Sequence, residues 1–68
     1  PAYPDSLTQR KVEVLRLVAA GKTNQLIADE LFITLRTVAN HVTSILTKTD
    51  SANRTEAAMY ATRKGLTQ

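Results

Sequence analysis

No cysteine occurs in this 68-residue chain, which removes disulfide frameworks, thiolate metal sites and a catalytic thiol in one step. Without an oxidative staple, the reducing cytoplasm is the expected compartment. Aromatic residues are nearly as scarce. Tyr3, Phe32 and Tyr60 are the whole set, so the core is expected to be small and aliphatic. Two glycines are too few for a phosphate-cradling loop, and no carboxylate cluster or Ser-His-Asp set supports catalysis. The chain is therefore expected to be no enzyme and to use no cofactor. His41 is the only histidine and lacks the partners that metal ligation requires. No apolar run approaches the roughly 18 residues that span a membrane, and nothing reads as a signal peptide. A soluble chain follows, with neither a membrane partner nor a small-molecule ligand.

One absence is local. Nine Lys and Arg against six Asp and Glu give a net charge of +3, yet from Leu31 to Thr49 there is no carboxylate at all. Arg36, His41 and Lys48 lie in that window. A surface that must rest against a polyanion needs such a window more than it needs a high overall charge.

The rest of the chain reads as one small domain. Residues 1–6 hold Pro1, Pro4 and an Asp-Ser pair and look like the end of a linker, followed by a domain over 7–66. The chain begins at Pro1 rather than Met, so it is read as cut from a longer protein whose regulatory part lies outside it.

The spacing predicts an all-α fold of four helices, over about 8–20, 24–31, 35–48 and 54–64. Thr8, Thr23, Thr34 and Asn53 stand where N-caps are wanted, and Gly21 and Gly65 stand where the first and last helices must stop. Glu56 lies three residues after Asn53 and completes the wording of a capping box. The third segment is rich in β-branched residues that individually favour strands. Its periodicity decides for helix: Leu35, Val38, Val42, Ile45 and Leu46 keep one apolar stripe for three turns.

Opposite that stripe, at about 100° per residue, fall Arg36, Asn40, Thr43 and Thr47, with Ala39 on one flank and Thr37, Ser44 and Lys48 on the other. Asn can pair with adenine and Arg with guanine, while Thr and Ala methyls can meet the thymine methyl in a major groove. Thr37, Ser44, Thr47 and Lys48 are residue types that hold phosphates. So are Thr23 with Asn24, and Thr34, at the two helix starts where backbone amides are unpaired. The same face would also suit a solvated helix surface, and each Thr at a helix start also fits a simple cap. His41, between the two faces, fits a structural role or a phosphate contact.

The stretch LTQRKVEVLRLVAAGKTNQLIADELFITLRTVANHVTSILTK resembles the LuxR-type helix-turn-helix, the C-terminal DNA-binding domain of many bacterial transcription regulators, including response regulators of the NarL and FixJ kind. The elements that carry the resemblance are LTQR, EVLRLVAAG, Asn24 with Ile27 and Ala28, the run Thr37 to His41, Ile45, Lys48 and the pair Asn53-Arg54, spread over Leu7 to Ala61. The resemblance implies a third helix in the major groove of double-stranded DNA. Base contacts would fall on Ala39, Asn40 and Thr43, and phosphate contacts on or near Thr37 and Lys48. It also implies a weak homodimer through the fourth helix, where Thr55, Ala58 and Thr62 form a small-residue surface, and RNA polymerase as a further partner. Two other readings stay open: a sigma-factor region-four-like domain, and a protein-interaction module that has lost DNA binding.

Two departures matter. The family very often has Lys where this chain has Ala39, so one cation is missing from the groove-facing surface. The family's usual Lys-Leu-Gly-Val reads Lys48-Thr49-Asp50-Ser51 here, without two apolar anchors and a turn glycine. A loosely docked fourth helix is the expectation, with Thr49 over a half-empty apolar pocket.

Overall fold

A computed structural model describes residues 7–66; the linker expected over 1–6 lies outside the described residues. Four helices follow in order, α1 (Gln9–Ala19), α2 (Asn24–Leu31), α3 (Leu35–Lys48) and α4 (Arg54–Arg63). There is no strand among the described residues. The all-α expectation holds, and α2 and α3 keep their expected bounds.

Each helix starts by the same device. Thr8, Thr23, Thr34 and Asn53 are extended, and their side-chain oxygens accept from the backbone N–H of Lys11, Leu26, Thr37 and Glu56 at 3.2, 3.2, 3.1 and 3.0 Å. A cap of this kind is worth about 1 kcal/mol. The return bond of the capping box differs from expectation: Glu56 Oε1 accepts from Ala52 N–H at 3.0 Å, one residue before the cap.

The core sits between α1 and the other three helices. Val12, Val14 and Leu15 of α1 meet Ile27 and Ala28 of α2, Val38, Val42 and Ile45 of α3, and Ala57, Tyr60 and Ala61 of α4, with Leu7 and Leu66 closing the two ends. A fully buried Val, Leu or Ile contributes about 1.5–3 kcal/mol, so six such side chains outweigh the caps. Aliphatic side chains dominate as expected, with one ring added: Tyr60 is buried, whereas Phe32 is 94% exposed. Leu35 departs from its predicted place in the stripe. It is half-exposed because it opens α3 one turn before Val38 enters the core.

The expectation of a loosely docked α4 is overturned. Helices α1 and α4 share the broadest helix–helix contact in the molecule. Arg16 Nε reaches across to donate to the Leu66 carbonyl at 2.6 Å. The anchors come from the inner face of α4 itself, so the loop after α3 does not have to supply them. Nor does Thr49 cover an apolar pocket. Its hydroxyl donates to the Ile45 carbonyl at 2.7 Å and lies 2.8 Å from Ser51 Oγ, closing the loop by hydrogen bonds where apolar contact was expected.

Candidate nucleic-acid interface

Burying Val38, Val42 and Ile45 forces the opposite face of α3 outward. Arg36, Ala39, Asn40, Thr43, Thr47 and Lys48 are exposed there, and Thr37 and Ser44 are half-buried at its edge. No carboxylate lies on this helix. The hydroxyls are not equally available. Thr47 donates to the Thr43 carbonyl at 3.1 Å, so its proton is committed to its own helix. Thr34 and Thr37 share a hydroxyl pair at 2.8 Å, which leaves one proton of the two for another acceptor. Thr23 and Thr34 both act as caps, as the simpler of their two readings requires.

The angle between α2 and α3 depends on Phe32. Its backbone is left-handed, with φ 57° and ψ 42°, and the following N–H of Ile33 donates to the Ala28 carbonyl at 3.1 Å. A side chain takes the role that a turn glycine would have. The ring points into solvent, so the core does not compensate for the backbone strain.

His41 is half-buried on α3. Burial holds its imidazole pKa below the usual 6.5, and the charges of Lys11 and then Arg10 at the start of α1 push it the same way. It therefore contributes no fixed charge to the face near neutral pH. Among the described residues no group of three or more His, Cys, Asp or Glu could hold a metal ion, and no helix is long and apolar enough to cross a membrane.

On α4, Thr55 and Thr62 are exposed and Ala58 is half-buried. Together with Met59 and Arg63 they line a shallow groove of about 360 Å³. Thr62 donates its hydroxyl to the Ala58 carbonyl at 3.2 Å and so does not offer that proton outward. A second open cavity, of about 700 Å³, brings Thr55 and Ala58 together with Lys22, Thr23 and Asn24 at the entry to α2. Arg54 stands at that junction, where Nη1 donates to Asn24 Oδ1 at 2.5 Å and Nη2 donates to the Lys22 carbonyl at 2.8 Å. Sequence reasoning noted Arg54 only as part of the Asn53-Arg54 pair. No local pattern announces a partner 30 residues away.

A short helix, a left-handed turn and a second helix with an exposed, acid-free face, braced by two further helices, define a helix-turn-helix domain. The comparison with known proteins gives the family. Residues 5–61 match the bacterial regulatory proteins of the luxR family, and the chain belongs to that family. It is 55% identical over 62 residues to the transcriptional regulatory protein LiaR of Bacillus subtilis (strain 168), covering 91% of this chain and 29% of LiaR. It is 44% identical over 64 residues to the response regulator protein VraR of Staphylococcus aureus (strain NCTC 8325 / PS 47), covering 94% of this chain and 31% of VraR. VraR of Staphylococcus epidermidis matches to the same extent, 44% over 64 residues. The chain thus spans about a third or less of the curated relatives it matches. The match also decides against the sigma-factor region-four alternative.

Proposed function

We infer that this chain is the sequence-specific, double-stranded DNA-binding output domain of a bacterial transcription regulator, with α3 lying in the major groove. The observation that carries the reading is the exposed face of Arg36, Ala39, Asn40 and Thr43, set opposite the buried Val38, Val42 and Ile45 on a helix without acid. Asn40 supplies the paired donor and acceptor that read adenine, Arg36 the fork that reads guanine, and Ala39 and Thr43 the methyl contacts. Thr37, Ser44 and Lys48, with Thr23, Asn24 and Thr34 at the helix starts, hold the phosphates on either side. Thr47 serves at most as an acceptor in the conformation observed.

With Ala39 where the family often has Lys, the face carries little charge of its own, and affinity comes from fit and from pairing. A weak homodimer through Thr55, Ala58 and Thr62 would set two copies on inverted half-sites. RNA polymerase is the further partner such a regulator serves, in the cytoplasm. The domain is taken to run over 7–66, after a linker. Selection of bound sequences from random duplexes tests the reading. Asn40→Ala and Thr43→Ala should each relax preference at one base position, at about 1–3 kcal/mol, whereas Lys48→Ala should weaken all sequences alike. No binding to any duplex at low salt would instead leave a protein-interaction module.

A further inference from the structure

Arg54 is the first residue of α4, is half-buried, and directs its guanidinium away from its own helix. The two acceptors it meets, Asn24 Oδ1 and the Lys22 carbonyl, bracket the entry to α2. The side chain of Lys22 is held as well, with Nζ 2.8 Å from Glu30 Oε1 near the far end of α2. The body of α2 packs on α1 and α3 and meets α4 only weakly, and the guanidinium adds a hydrogen-bonded tie from α4 to its entry.

The chemistry of this pair orients the Asn24 carboxamide. A guanidinium has only donors, so it must meet the amide oxygen, and the two Nδ2 protons are left on the other side. Asn24 lines the open cavity beside Thr23, whose capping hydroxyl accepts from Leu26 and keeps its own proton. Without Arg54 the carboxamide could turn over and offer its oxygen, which a phosphate would repel.

We propose that Arg54 is a positioning residue for DNA binding: by occupying the oxygen of Asn24 it holds the carboxamide NH2 outward as a donor to a phosphate oxygen of the duplex backbone. The proposal rests on the DNA-binding reading above. It also ties that donor to α4, where Thr55 and Ala58 border the same cavity. In this role Arg54 acts through Asn24: one N–H of each arm already donates to a protein acceptor, and a direct phosphate contact by a remaining N–H is the alternative that the salt slope separates.

A double-mutant cycle on the 68-residue chain tests this, with a labelled mixed-sequence duplex titrated at several salt concentrations and thermal melts fixing the folded fraction. Asn24→Ala and Arg54→Gln should each lower affinity by about five- to tenfold, and the double variant should be no weaker than either. The salt slope of Arg54→Gln should match the parent, since no phosphate-neutralising cation has been removed. Arg54→Met, which removes every donor and keeps the aliphatic stem, carries the same cycle if Arg54→Gln does not stay folded. Additive losses, or a slope flatter by about one unit in Arg54→Gln, would overturn the proposal while leaving the DNA reading standing. A parent chain that binds no duplex at low salt would overturn both.

Discussion

Helices α1 and α4 close on glycine, whereas α2 and α3 close on side chains. Gly21 and Gly65 have φ of 85° and 69°, and Phe32 and Asp50 take up the same left-handed region at 57° and 53°. One hydrogen bond recurs at all four ends. The N–H after each left-handed residue returns to a carbonyl five positions back: Lys22 to Leu17, Ile33 to Ala28, Ser51 to Leu46 and Leu66 to Ala61, at 3.1, 3.1, 2.9 and 2.9 Å. What differs is the cost of the conformation, about 1–2 kcal/mol for a residue with a Cβ and little for glycine. The two costly ends flank α3, the helix with the exposed, acid-free face. The ends of the α1–α4 scaffold are unstrained, and among the described residues the left-handed non-glycine positions lie in the two turns on either side of α3.

The sharpest way to break this comparison is to put a Cβ on the scaffold. Gly21→Ala would meet no atom within 4 Å, so any loss is backbone strain alone. Urea melts should show a loss of about 1–2 kcal/mol, and an unchanged midpoint would remove the distinction between the two kinds of end. At the loop after α3, Thr49→Leu should lower stability by about 1 kcal/mol, because it deletes the hydroxyl that bonds to Ile45. A gain there would restore the apolar-pocket view. Phe32→Gly should raise stability by about 0.5–1 kcal/mol, the relief of strain less the added chain entropy of glycine. A parallel loss of duplex affinity in that variant would mean that the exposed ring is retained for contact. Asp50→Gly should gain less, about 0.5 kcal/mol or below, since Asp tolerates the left-handed region better than a bulky residue does.

The smallest effect concerns His41, in the middle of α3 and away from both ends. Its folded-state pKa lies below 6.5, so the unfolded chain binds the proton more readily. This contribution to stability is complete above that value and declines as the pH falls through it towards the folded pKa. His41→Gln should flatten the pH dependence of the melting temperature on the acid side of neutrality. An unchanged profile would show that burial and the charges of Lys11 and Arg10 do not act on the imidazole.

Much of the fold was legible because its signals are local. Thr8, Thr23, Thr34 and Asn53 each precede an apolar-periodic run, and all four cap as expected. The stripe of Val38, Val42 and Ile45 required only helical spacing, and so did the outward placement of Arg36, Asn40 and Thr43. The docking of α4 is not legible in Thr49, Asp50 and Ser51, because these residues lack the apolar anchors that would announce it. The structure uses hydroxyl bonds there, and it draws the anchoring from Ala57, Tyr60 and Ala61. Phe32 falls between the expected second and third helices, yet nothing in the wording marks it as the left-handed residue or as almost fully exposed.

The four helices, their starts and the acid-free face of α3 follow from short runs of residues, since a helix period and a cap are complete within about four residues of chain. Packing between distant segments settled that Tyr60 joins the core while Phe32 does not. It also decided that α4 is bound to α1 through Arg16 and Leu66, and that Arg54 takes the oxygen of Asn24. Those choices depend on which distant backbones approach one another, and that is set by the summed packing of all four helices rather than by any local run of residues.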